Sequence, residues 1–263
     1  MKAEEHLLEV KGLRKHFSDQ KDGPILKAVD GVNFHVERGE TLGIVGESGS
    51  GKSTIAKMIM QLEKPTEGEI LFHGKNITSL TNTEKRKLQI IFQDPYGSLN
   101  PRMKAKDIVT EPFFIHEKMP KRERYEQALK LLQEVGLDKE HLNRYPHQFS
   151  GGQRQRLSIA RAIALKPDLI VCDEAVSALD VSLQAQILHL LSSLQKTYGI
   201  AYIFIAHGLP AVRLISDRIA IMYKGEIVET GTRDEIFENP QHDYTKSLLA
   251  AVPPSHPRLR EDG

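Results

Sequence analysis

The stretch Gly46-Glu-Ser-Gly-Ser-Gly-Lys-Ser-Thr54 constrains this chain more than any other. Its spacing is G-x-x-x-x-G-K-S/T. It follows a short apolar run, Thr41–Val45, and leads into an apolar-periodic segment, residues 54–62. Between a strand and a helix, that spacing builds a Walker A phosphate loop. Its glycines let the backbone wrap closely around phosphate oxygens, and the helix N-terminus favours their negative charge. The N–H groups of Gly49, Gly51, Lys52 and Ser53 are expected to point inward. Lys52 is expected to reach the β- and γ-phosphates, with the Ser53 hydroxyl on Mg²⁺.

A second segment, Leu169-Ile-Val-Cys-Asp-Glu174, reads as a buried strand ending in two carboxylates, the Walker B pattern. Asp173 is placed to hold Mg²⁺ through water, and Glu174 to polarise an attacking water. Cys172, the single cysteine of the chain, reads as a small buried apolar residue. One cysteine permits no intramolecular disulfide, which fits a reducing compartment.

Alternation of apolar and polar residues predicts strands over 7–17 and 25–36, joined by the loop SDQKDGP. Further strands are expected at 69–72, 88–92, 200–206, 217–223 and 226–230, the last two flanking a tight hairpin at Lys224-Gly225. The texture changes after Gln93, where DPYGSLNPRMKAKDIVTEPFF is rich in Pro, Gly and charge. A helix is predicted over 121–135, closed by Gly136, and another from Gly152. A helix over 182–196 and two short ones near 232–238 and 243–250 complete the pattern. The expectation is one α/β module, with a core from 1–93 and 166–252, a helical insert over 94–165 and a loose tail over 253–263.

Apolar residues make up 40% and charged residues 27% of the 263, and the formal net charge is +1. That balance gives no sign of nucleic-acid binding. The first residues, MKAEEHLLEVKG, contain no apolar stretch of signal-peptide type. The longest apolar runs fall far short of the about 20 residues of a bilayer span. A membrane role is therefore expected only through a partner.

Four further segments, in order, make the chain resemble the ABC-type ATPases over nearly its whole length. Ser150-Gly-Gly-Gln-Arg154 is similar to the ABC signature, and Ser177-Ala-Leu-Asp180 to the D-loop. Gln93, before Asp94-Pro95, matches the Q-loop, and His207 matches the switch histidine. The resemblance implies a P-loop ABC ATPase with a RecA-like core, an N-terminal antiparallel β subdomain and an inserted α-helical subdomain. It implies ATP with Mg²⁺ as the bound species, hydrolysis as the reaction, and a peripheral place on the cytoplasmic face of the cell membrane. Nucleotide contacts then fall to Phe17 under the adenine, and to Gly46, Glu47, Ser48, Gly49, Ser50, Gly51, Lys52, Ser53 and Thr54. Ser150, Gly151, Gly152, Gln153 and Asp180 would serve the nucleotide of a head-to-tail partner. Glu174, His207, Gln93 and Lys52 carry catalysis, and Ser53, Gln93 and Asp173 the metal.

Two stretches narrow the resemblance to the oligopeptide, dipeptide and nickel importer group: Ile91–Arg102 and Glu238–Pro253. In that group a companion ATPase and two membrane permease subunits complete the machine, a substrate-binding protein delivers cargo, and Gln153 matches the second ATPase of such pairs. Peptide import is the reading; a nickel or metal-chelate importer and a soluble ABC ATPase acting on DNA or ribosomes are the alternatives. Three features depart from the pattern. Gly208 stands where Asp is usual, Ala175 where Pro is usual, and the tail PPSHPRLREDG lacks the cysteines of an iron–sulfur site.

Overall fold

The computed structural model describes residues 6–18, 25–117 and 119–251. The tail at 253–263, and most of the loop between the first two strands, lie outside the described residues.

Ten strands form among them: β1 Leu8–Ser18, β2 Ile25–Val36, β3 Thr41–Val45, β4 Glu67–Phe72, β5 Lys75–Asn76, β6 Leu88–Ile91, β7 Leu169–Asp173, β8 Ala201–Ala206, β9 Arg218–Tyr223 and β10 Glu226–Thr232. Four of them make an antiparallel sheet in the order β2-β1-β4-β5. The other six run β10-β9-β3-β8-β7-β6, and the five from β9 to β6 are parallel. Parallel strands covered on both faces read as continuous apolar runs. Accordingly, every residue of β3 and β8 is buried.

Alternate residues of these strands feed two cores. Ile170, Cys172, Tyr202 and Phe204 face one cluster, with Leu157 and Leu191. Leu169, Val171, Ile203 and Ile205 face the other, with Leu8, Val10 and Ile55. The six-stranded sheet is thus the middle layer, with the antiparallel sheet packed toward one face. Burial pushes the Cys172 thiol well above its ordinary pKa, so it stays an uncharged packing residue.

The helices are α1 Lys52–Ile59, α2 Asn82–Lys85, α3 Pro95–Ser98, α4 Ala105–His116, α5 Lys121–Glu134, α6 Gly151–Ile163, α7 Val181–Tyr198, α8 Leu209–Ile215, α9 Arg233–Glu238 and α10 Asp243–Ala250. Between β6 and β7 the described chain forms no strand, only helices and turns. Helix α1 begins at Lys52, two residues before its expected start, because the phosphate loop itself ends in the first turn.

Helix α4 lies in the Pro/Gly-rich, charged stretch of the expected helical insert, where no individual helix is predicted. Its buried residues Ala105, Ile108, Val109 and Phe113 recur at helical spacing, and Pro112 lies inside it. Pro112 removes one backbone donor without ending the helix. Helices α2 and α8 were likewise not anticipated.

Candidate functional site

Four adjacent strands, β3, β8, β7 and β6, end at one edge of the parallel sheet. Each delivers a residue expected to be functional just past its carboxyl end. Loop 46–51 follows β3, His207 follows β8, Asp173 ends β7 with Glu174 next, and Gln93 follows β6. A crevice outside the carboxyl ends of parallel strands is where such sheets bind ligands.

The phosphate loop tolerates only glycine at two points. A Cβ on Gly46 would lie 2.0 Å from the Met222 carbonyl oxygen. One on Gly51, at φ +106°, would lie 2.1 Å from that of Ala28. Lys52 is 3% exposed, and its Nζ donates to the carbonyls of Gly46 and Glu47, both at 2.7 Å, and to Ser50 Oγ at 3.3 Å. Burial lowers the Lys52 pKa, and the carboxylates of Glu174, Asp173 and Glu47 oppose that shift. From the outside, the Glu47 N–H donates to Tyr244 Oη at 3.0 Å.

Across the loop, Ser53 Oγ donates to Asp173 Oδ1 at 2.8 Å. Burial raises the Asp173 pKa, the Ser53 hydrogen bond opposes the rise and Glu174 adds to it. A hydroxyl beside a carboxylate is the oxygen donor set of a hard divalent cation. Glu174 has a left-handed backbone, φ 53°, and its N–H donates to the Ile205 carbonyl at 3.0 Å. Its Oε1 lies 2.5 Å from His207 Nε2. Its Oε2 is buried with no hydrogen-bond partner among the described residues. Gln93 Nε2 donates to Ser177 Oγ at 3.3 Å, and Ser177 Oγ donates to the Glu174 carbonyl at 3.0 Å. Gln93 is thereby linked to the loop that carries Glu174.

These groups open on one cleft of about 480 Å³. Phosphate-loop residues, Gln93, Glu174 and His207 line it, and Phe17, Leu26 and Ala28 form an apolar end. Phe17 is half-buried at the end of β1, with Lys15 Nζ 4.9 Å from its ring centre, so it belongs to the cleft and not to either core. Leu26 and Ala28 carry no sequence signal beyond a strand, and the register of β2 against β1 brings them there.

Ser150, Gly151, Gly152, Gln153 and Asp180 do not line this cleft. Ser150 caps α6 in a capping box with Gln153. For Ser150 and Gly151 to serve a partner's nucleotide, their N–H groups at the start of α6 are expected to face an anion; the Ser150 N–H does not. It donates instead to Gln153 Oε1 at 3.1 Å, which leaves that role to the amides further into the first turn of α6. Asp180 caps α7 by accepting from the Leu183 N–H at 2.9 Å. A Cβ on Gly152 would lie 3.1 Å from Leu183 Cδ2, so α6 and the start of α7 pack closely.

The two departures near Glu174 also resolve. Ala175 is buried. Gly208 has φ −126°, a conformation open to any residue, so it adds no glycine-specific freedom. What it lacks is a side chain to cap α8.

Residues 29–177 match the family model described as ABC transporter, and residues 228–263 the model described as oligopeptide/dipeptide transporter, C-terminal region. The chain belongs to the ABC transporter family. It is an ABC-type ATP-binding subunit. It is 53% identical to the oligopeptide transport ATP-binding protein OppF of Bacillus subtilis, over 95% of this chain and 83% of that one. To the dipeptide transport ATP-binding protein DppF of Escherichia coli it is 47% identical, over 97% of this chain and 79% of that one. Among solved structures, it resembles a dimeric ATP-binding cassette in a post-hydrolysis state bound to ADP and Pi. The TM-score is 0.76 and the identity 31%, over 86% of this chain and 98% of that one. Among the described residues of this ABC subunit, no helix is long and apolar enough to cross a membrane.

Proposed function

We propose that this chain binds ATP with Mg²⁺ at the 46–54 loop and hydrolyses it to energise uptake of oligopeptides or dipeptides. Lys52, Ser53, Asp173, Gln93, Glu174 and His207 converge on one cleft, and that convergence carries the reading.

The residues present fit the metal as well as the nucleotide. Ser53 Oγ and Asp173 supply hard oxygen donors, and the backbone cradle at Gly46 and Gly51 leaves no room for a side chain. Bound Mg²⁺ would supply charge neutralisation at the β- and γ-phosphates. Lys52 turns its ammonium from the loop carbonyls to those phosphates. Phe17 offers its ring to the base. The Glu174 carboxylate, at the edge of the cleft, accepts a proton from the attacking water, while His207 holds Oε1 and so fixes the group. Gln93 reports the state of the site through Ser177.

The first-turn amides of α6 point to use elsewhere than in this chain's own cleft, since they do not line it. A head-to-tail dimer with a companion ATPase brings Ser150–Gln153 and Asp180 onto the partner's nucleotide. Two permease subunits complete the assembly at the cytoplasmic face of the membrane, and a substrate-binding protein delivers the peptide. Peptide cargo is favoured over nickel because relatives named for oligopeptide and dipeptide transport align over most of both chains.

The test is Glu174→Gln. Hydrolysis should fall about 10²–10⁴-fold while ATP affinity stays within a few-fold. Size-exclusion chromatography with ATP, alone and with the companion ATPase, should show a dimer that ADP dissolves. Retained hydrolysis would remove Glu174 from the role of base. Reconstitution with the permease subunits should make ATP turnover respond to peptide-loaded binding protein. A response to a nickel chelate alone would replace the peptide reading.

A further inference from the structure

The outer side of the phosphate loop is held by the C-terminal part of the chain. The Gly225 N–H, in the β9–β10 turn, donates to the Ser50 carbonyl at 3.1 Å. The Met222 carbonyl closes over Gly46. Tyr244, in the first turn of α10, accepts from the Glu47 N–H. Two of these three contacts use the backbone of β9 and of the turn that follows it. The third is a side chain from a helix 197 residues away in sequence.

Three arrangements fix Tyr244. Its ring packs on that of Tyr223, with centroids 4.2 Å apart. The turn before α10 is tied to β10, because the Glu229 carboxylate accepts from the Gln241 N–H at 2.7 Å and the His242 N–H at 3.0 Å. His242 Nδ1 in turn accepts from the Tyr244 N–H at 3.1 Å. Burial of Glu229 pushes its pKa up, but the Gln241 N–H, the Thr245 hydroxyl and His242 together outweigh it and hold the group below its ordinary value. Glu229 is therefore anionic at neutral pH and pins α10 in place.

The Glu47 peptide matters because its other end faces inward. That peptide joins Gly46 to Glu47, and its carbonyl, that of Gly46, holds Lys52 Nζ at 2.7 Å. The Glu47 carbonyl, one plane further on, holds the same Nζ at 2.7 Å and accepts from the Ser50 N–H at 3.2 Å. One peptide plane thus joins α10 on the outside to the phosphate-binding lysine on the inside. Turning that plane moves both.

We propose that Tyr244 is a positioning residue for the phosphate loop, and that helix α10 acts as a clasp setting the loop's geometry before nucleotide arrives. The inference rests on the nucleotide-site reading above. A loop already held in its binding shape loses less freedom on binding, so the clasp contributes to ATP affinity. Glu229 acts one step further out, through the turn that carries Tyr244.

The test uses the full chain with Tyr244→Phe, which keeps the ring and its packing on Tyr223 and removes only the hydroxyl. Amide hydrogen exchange at Glu47 should rise at least tenfold, while exchange within β3 and β8 stays unchanged. ATP affinity, read by displacement of a fluorescent ATP analogue, should weaken roughly three- to tenfold, the effect of losing one neutral hydrogen bond. KM for ATP should rise by more than kcat falls. Glu229→Gln should weaken affinity too, and the double variant should be no worse than Tyr244→Phe alone by more than about twofold. Unchanged exchange at Glu47 would overturn the clasp. Faster exchange with unchanged ATP affinity would overturn the positioning role. Lys52→Ala serves as the separate control: if it too leaves ATP affinity untouched, the nucleotide-site reading fails, whatever Tyr244 does.

Discussion

Glu174 carries two unfavourable features at once. Its backbone lies in the left-handed region at φ 53°, and a buried carboxylate oxygen has no partner among the described residues. The first costs about 1–3 kcal/mol in a non-glycine residue, and the second is of similar size. Asp173 adds a third. Burial raises its pKa above the ordinary value, so its ionisation works against folding. The stability this group gives in its protonated form is present below the ordinary carboxylate range and is lost as pH rises through the raised value. Asp173→Asn should remove that loss while keeping an oxygen for the Ser53 hydroxyl, and the larger Glu174 attraction still serves Lys52. Without nucleotide, the thermal midpoint at pH 8 should rise by roughly 2 °C, and the gain should shrink toward pH 4. ATP hydrolysis should fall at the same time. A lower midpoint at pH 8 would show that the carboxylate is stabilised by its surroundings after all.

Helix α8 is the element where a small change has a calculable effect. Its cap position, Gly208, has extended backbone, and a Cβ there would meet only Pro210 Cδ at an ordinary 3.5 Å. Gly208→Asp should fit without strain and let a carboxylate accept from an amide of the first turn. The expected stabilisation over glycine is a few tenths of a kcal/mol, and ATP turnover should be unchanged or higher, as steady-state assays would show. A large loss of turnover would mean that the added charge disturbs Glu174 more than the cap steadies His207. Elements were legible in the sequence where one local pattern decided them. Strands β3, β7 and β8 are unbroken apolar runs, and α7 repeats leucines and isoleucine at helical spacing. Helix α4 was hidden because Pro112 and a neighbouring Pro/Gly-rich stretch masked its apolar face. Helix α8 was hidden because seven residues, with Pro210 second among them, give too short a period to stand out. Residues 46–54, 173 and 174 could be placed from their own motifs. Tyr244, Leu26 and Ala28 could not, because only long-range register and packing bring them to the loop and the cleft.

At the scale of the molecule, Gln93 leads out of the parallel sheet into the helices that follow β6. Tyr96 stands 52% exposed just beyond it, with the Arg154 guanidinium 5.3 Å from its ring centre. This surface joins the cleft to helix α6, and under the proposed function it is the place expected to meet a membrane partner. A cysteine placed at Tyr96 or Ser98 should crosslink to the cytoplasmic loops of a permease subunit, as mass spectrometry of the product would show. Capture only from the opposite edge, at Glu229, would move the docking surface.

The order of the parallel sheet has a consequence for how the protein comes into being. Strand β3, which launches the phosphate loop, pairs only with β8 and β9. A ribosome must therefore make residues 201–206 before β3 has any neighbour in its sheet, and 218–223 before it has both. The loop sits in the first quarter of the chain, yet during synthesis the strand that launches it stays unpaired in its sheet until about three-quarters of the chain has been made. Nascent chains arrested near residue 200 should not retain ATP, and chains released after α10 should. Nucleotide capture would then report that β8 and β9 have been made, and shorter nascent chains should turn over no ATP.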